Sequence, residues 1–205
     1  MNSTGKPLDS QGLEPRERRM TTAQRSRNNG QMRPVGLCTD AHFPSKGEQK
    51  GLVILVEYQD VKFNLSDPHD YFYRMLNETG FSDYGGTGSA AEYFRNNSSQ
   101  QFKPTFDVYG PITLSQNMSY YGENDYWGDD SNPQKMAIEA CQQLDATVDF
   151  SEYDRDNDGY IDNVYVFYAG AGEANGGSDD TVWPHRWVVY GENYDGDPAV
   201  GGVKV

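Results

Sequence analysis

Histidine and cysteine, from which most catalytic metal centres and nucleophile pairs are built, are scarce in this chain of 205 residues. It has three histidines and two cysteines. Cys38 and Cys141 are too few for a disulfide framework, and their spacing matches no zinc-binding pattern. His42, His69 and His185 lie far apart. None stands four residues from another with a glutamate between them, the helical arrangement that grips zinc and supplies a base. No Ser/His/Asp set is visible. The glycines at 85–88 precede a helix but lack the Lys-Ser/Thr of a phosphate loop, so they read as a linker. Basic residues are also in deficit, 17 against 31 acidic, for a net charge of -14. Nucleic acid and anionic membrane surfaces both repel such a chain, so neither is an expected partner. No apolar run approaches the roughly 20 residues of a membrane span. The start, Met1 to Asn28, has no signal-peptide stretch either.

Aromatic residues are plentiful: 15 Tyr, 9 Phe and 3 Trp. That composition belongs to a chain with a packed core, and 205 residues suffice for one domain rather than two. Residues 1–33 are polar and mixed in charge, and the first 42 read as a flexible leader or propeptide remnant. The domain proper is expected over 43–205.

The run Leu52 to Tyr58 is nearly all apolar and rich in β-branched residues, the pattern of a strand covered on both faces. Asp67, Pro68 and Asp70 give a helix start, with Tyr71, Phe72, Met75 and Leu76 on one face. Ser89 and Glu92 form a capping box opening a second short helix, with Tyr93 and Phe94 as its apolar side. Phe106 to Leu114 reads as an edge or bulged strand because of Gly110 and Pro111. Asn132 and Pro133 start a third helix that buries Met136, Ala137, Ala140, Cys141 and Leu144. Val164 to Ala169 is another apolar strand. This order predicts an α/β fold, a mixed β-sheet with flanking helices.

The strongest chemical signal is Asp154-Arg155-Asp156-Asn157-Asp158-Gly159-Tyr160-Ile161-Asp162. Calcium takes six to eight oxygen ligands, and carboxylates at alternate positions of a tight loop can all turn inward. Asp154, Asp156 and Asp158 have that spacing, Gly159 permits the sharp turn, and Tyr160 offers its carbonyl. Asp162 binds directly or through water. The competing reading is a solvated acidic turn, but carboxylates this close repel one another without a cation. The twelfth position, a bidentate Glu in a helix-loop-helix sensor, is Tyr165, and the chain continues into a strand. A structural ion pinning a loop to a sheet edge fits better, with Asp149, Glu152 and Glu173 as candidates for a remaining ligand. His69 reads as a solvent-exposed residue of a polar first turn. His185, in Trp183-Pro184-His185-Arg186-Trp187, either packs or faces a substrate.

In order along the chain, the segments 43–58, 88–98, 106–112, 154–170 and 183–187 resemble the immune inhibitor A-like family of bacterial secreted metallopeptidases. The likeness runs over some 145 residues. It implies a zincin-like α/β catalytic domain, a secreted endopeptidase acting on proteins or peptides, with zinc held by a His-Glu-x-x-His helix downstream of the tryptophan-rich segment. The 154–162 loop carries over onto a calcium site of that family. The zinc helix does not occur before Val205, so the expectation is the N-terminal part of the domain, inactive alone. Cys38, just upstream of the resemblance, is either a free thiol or a zymogen switch that occupies the open zinc position. A calcium-dependent adhesion or docking module and a binding-only family member are the competing functions. A downstream His-Glu-x-x-His separates them from the enzyme.

Overall fold

The computed structural model describes residues 44–186, together with 189, 199–200 and 203–204. The expected leader, including Cys38 and His42, lies outside the described residues, as does Trp187.

β1 spans Gly47–Glu57 and is the centre of a three-stranded sheet. β2, Phe102–Thr113, and β3, Val164–Tyr168, flank it, and both pairings are parallel. Between β1 and β2 the chain forms α1 (Pro68–Asn77) and α2 (Ala90–Asn97). Between β2 and β3 come α3 (Met118–Gly122), α4 (Pro133–Leu144) and a 3-10 turn over Phe150–Tyr153. Parallel strands need such crossovers, and the crossovers cover the sheet. A separate antiparallel pair joins β4 (Ala199–Val200) to β5 (Val203–Lys204).

The unbroken apolar run of β1 follows from this layering. Leu52, Ile54 and Val56 point to one face, where Leu114, Tyr121, Met136, Ala140, Cys141 and Phe150 close the larger core. Val53 and Leu55 point to the other, against Leu76, Ala91, Phe106 and Val108. All five β1 side chains are fully buried. β2 is an edge strand, and its register against β1 shifts between Ile54 and Val56. Gly110 sits opposite the shift with φ +91, and a Cβ there would lie 2.5 Å from the Leu55 carbonyl oxygen. Only glycine fits both conditions.

The helix starts agree with the sequence. The Asp67 side chain accepts from the Asp70 amide at 3.0 Å. Ser89 and Glu92 make both bonds of the capping box. The five residues expected in the buried stripe of α4 are all buried. α2 is a correction. Its buried residue is Ala91, while Tyr93 and Phe94 are 63% and 41% exposed. The small alanine face lets the helix lie close on Phe106 and Val108, so the larger rings fall on the flank, where Phe94 meets Phe102 edge-on at 5.6 Å.

Candidate cation loop and its framework

The 3-10 turn Phe150–Tyr153 delivers the chain into the aspartate loop. Phe150 is fully buried in the larger core and Tyr153 nearly so, so the turn is anchored before Asp154 begins. The loop winds by hydrogen bonds to its own carboxylates. Asp154 accepts from the Asp158 and Gly159 amides, each at 3.0 Å. Asp156 accepts from the Asp158 amide at 3.2 Å, and Asp158 from the Tyr160 amide at 2.9 Å. Asn157 at φ 58 and Gly159 at φ 88 supply the left-handed turns. The loop closes where the Asp162 amide donates to the Tyr153 carbonyl at 2.9 Å.

Folding in this way brings one carboxylate oxygen each of Asp154, Asp156 and Asp158 within 4.8 Å of one another. Mutual repulsion at that range is roughly 1 kcal/mol per pair even in water. An ionised carboxylate has about four lone-pair sites, so one or two amide bonds leave acceptor capacity facing the common centre. This donor set is all oxygen and suits a hard cation. Asp162 is placed differently: its Oδ2 accepts from the Arg155 amide at 3.0 Å. Burial, with the charges of Asp156 and Asp154 adding to it, pushes its carboxyl above the usual range. Tyr165, at the twelfth position, lies in β3 with its ring 6.3 Å from Phe106.

The candidates for a further ligand are held elsewhere. Asp149 caps the 3-10 turn through Ser151, Glu152 pairs with Lys50, and Glu173 accepts from Asn124. The Lys50 pairing belongs to a group that sequence reading did not single out. Lys50 on β1 also reaches Asp107 on β2 at 3.4 Å, and its ammonium sits 5.8 Å from the Tyr153 ring centre. Tyr153 donates to Asp107 at 2.7 Å, and its hydroxyl lies 3.1 Å from that of Tyr109. These side chains tie the entry of the loop to two strands. A small cleft lined by Lys50, Glu152, Tyr153, Arg155 and Asp162 lies beside them. The signal available in sequence was a lone aspartate, Asp107, within a strand-like segment, while Lys50 stands in the polar stretch before one.

Neither of the two described histidines joins a metal-binding group. His69 is exposed, as expected, but its Nε2 lies 2.9 Å from the Val108 carbonyl and so links α1 to the edge strand. His185 is also exposed, and its Nδ1 donates to the Trp183 carbonyl at 2.6 Å. Among the described residues, the Asp154–Asp156–Asp158 trio is the group of His, Cys, Asp or Glu side chains able to meet on one metal. Catalytic zinc needs three protein ligands, imidazole prominent among them, with one position open. The described residues do not fit that requirement.

A parallel sheet with covering helices and a carboxylate-lined loop feeding its third strand defines an α/β domain. Comparison with known families makes the class definite. The chain matches the immune inhibitor A peptidase M6 catalytic domain over residues 40–200, and it belongs to that family of metallopeptidases. It is 26% identical over 152 residues to the pre-pro-metalloprotease PrtV of Vibrio cholerae, covering 64% of this chain. It is 28% identical over 177 residues to immune inhibitor A of Bacillus thuringiensis, covering 69%. The matches take in 17% and 26% of those relatives' lengths.

Proposed function

We propose that the polypeptide containing this chain is a secreted, zinc-dependent endopeptidase of proteins or peptides, and that its Asp154–Asp162 loop is a structural calcium site. Membership of the peptidase family supports the first part, together with the metalloprotease named among its relatives. The convergence of the Asp154, Asp156 and Asp158 carboxylates supports the second and is the observation that carries it. Tyr160 through its carbonyl and Asp162 complete the proposed ligand set.

Zinc in such enzymes polarises the scissile carbonyl and brings the pKa of its water to about 7. The described residues supply no ligand set for it, so no hydrolytic step is assigned to them. Their contribution is framework: the buried β1 strand and the anchored 3-10 turn hold one loop against the sheet. Bound calcium would offset the repulsion among the three carboxylates, and the loop amides would keep them turned inward.

Two measurements test this reading. At 100 times its dissociation constant, a ligand selective for the native state adds about 2.7 kcal/mol of stability. The melting temperature should therefore rise with calcium and fall with chelator, and Asp156→Ala should blunt that response. An unchanged melting temperature across the series sinks the calcium site. Residues 1–205 alone, loaded with calcium and zinc, should leave casein and gelatin uncut. Chelator-sensitive cleavage that survives replacement of all three histidines would show that residues 1–205 hold a catalytic metal by other ligands, against this reading.

A further inference from the structure

We propose that Asn64 and Asn117 are N-glycosylation sites. The chain carries Asn-x-Ser/Thr triplets at Asn2, Asn64, Asn77, Asn96, Asn97 and Asn117, none with proline in the middle. This triplet is the acceptor signal for oligosaccharide transfer in exported proteins, and the sugar must end on the surface. The inference rests on the reading that the chain is exported.

The fold sorts the five triplets among the described residues. Asn77 is committed to structure: its Nδ2 donates to the Phe106 carbonyl at 3.0 Å and the Tyr73 carbonyl at 3.1 Å. Its Oδ1 accepts from the Phe106 amide at 2.9 Å. A sugar on Nδ2 would prise α1 from β2. Asn96 and Asn97 share one end of α2: Asn97 Nδ2 donates to the Tyr93 carbonyl at 2.8 Å, and Ser98, the hydroxyl of the Asn96 triplet, is held by the Arg95 and Phe102 carbonyls and by the Phe102 amide. Asn64 and Asn117 differ. Asn64 is exposed in the loop between β1 and α1, and Ser66 of its triplet is exposed too. Asn117 is exposed immediately before α3, where its side chain makes no capping bond, and Ser119 is likewise exposed.

The two loops are neighbours. The Gln59 amide donates to the Gln116 carbonyl at 3.2 Å, and the Met118 amide to Asp60 at 2.9 Å. Both follow the carboxyl ends of adjacent parallel strands. Two glycans would thus stand together on one end of the sheet, opposite the end at which the aspartate loop enters β3. In the transfer, the side-chain Nδ2 bonds to the anomeric carbon of an oligosaccharide carried on a polyprenyl diphosphate. The bond from that carbon to the diphosphate oxygen breaks, the diphosphate leaves with the electron pair, and the amide gives up one proton.

The test uses the polypeptide from the cells that make it, collected from the medium and from the cell interior. Amidase release in heavy-oxygen water followed by peptide mass spectrometry should mark Asn64 and Asn117 and leave Asn77 unmarked. Ser66→Ala and Ser119→Ala should each remove one glycan step on a gel, with circular dichroism unchanged. Protein in the medium with Asn64 and Asn117 unmodified overturns this proposal and leaves export standing. Protein found only inside the cell, unmodified, overturns both. A marked Asn77 in folded protein overturns the structural sorting on which the proposal depends.

Discussion

At the residue scale, Asn77 shows how one amide can join two elements. It takes a donor and two acceptors from α1 and β2 at once, so it acts as a side-chain extension of the edge strand's own ladder. Alanine in its place leaves the Phe106 amide and carbonyl without these partners, at a cost of roughly 2 kcal/mol. For a domain of this size that is about 4–8 °C in melting temperature. Thermal denaturation of Asn77→Ala checks the figure, and a change within error would show that water replaces the amide without loss. Cys141 is a second single-residue case. It is fully buried in the larger core, and burial pushes its thiol up to about 12. Reactivity belongs to the thiolate. The Cys141 peptide should therefore stay unlabelled by a disulfide reagent at pH 8 and become labelled once the chain is denatured.

Among the elements, α2 depends on its first turn more than on its apolar face. Glu92 Oε2 accepts from the Ser89 amide at 3.1 Å and from the Gly80 amide at 2.7 Å, closing the cap and fastening the preceding loop. These backbone bonds hold its carboxyl below the usual range. A carboxyl depressed in the folded state adds stability above its unfolded pKa, and loses it as pH falls through the folded one. Glu92→Gln should accordingly be less stable than the parent at pH 7, with the gap closing on acidification below about pH 4.5. Urea midpoints at several pH values measure this, and a gap independent of pH would contradict it. Caps of this kind were legible from sequence because they involve residues three apart, and the starts of α1 and α2 were read in that way; α4 was read from Pro133 at its first position, and Asn132 before it makes no side-chain capping bond. Other features were not legible. The outer half of β1, Gly47–Lys50, is polar and carries no strand signal of its own. α3 has five residues, too few for a helical period. Tyr93 and Phe94 are hydrophobic in type, but the close approach that Ala91 allows decided their place. The aspartate trio was readable because its members lie within five residues of one another. The Lys50–Asp107–Tyr153 support brings together residues as much as 103 positions apart, and only the fold unites them.

For the whole molecule the deciding fact is that one strand serves two cores. Val53 and Leu55 belong to the smaller, closed by Leu76 of α1 and Ala91 of α2, and Leu52, Ile54 and Val56 to the larger, closed by Tyr121 of α3 and Met136 and Ala140 of α4. Neither layer can release its apolar surface without exposing the opposite face of the same strand. The described domain should therefore unfold as one cooperative unit rather than layer by layer. Truncating a β1 side chain probes this directly. Leu55→Ala and Ile54→Ala each leave a cavity on a different face, at roughly 2–5 kcal/mol apiece. Each should lower the midpoint of a single transition by about 4–20 °C. The readout is paired: far-ultraviolet circular dichroism for the helices, and hydrogen exchange at Leu76 in α1 and Ala140 in α4. If Leu55→Ala speeds exchange at Leu76 and Ala140 alike, the two layers stand or fall together. Faster exchange at Leu76 with Ala140 unchanged would mean that the smaller layer opens by itself, and that β1 does not couple the two faces.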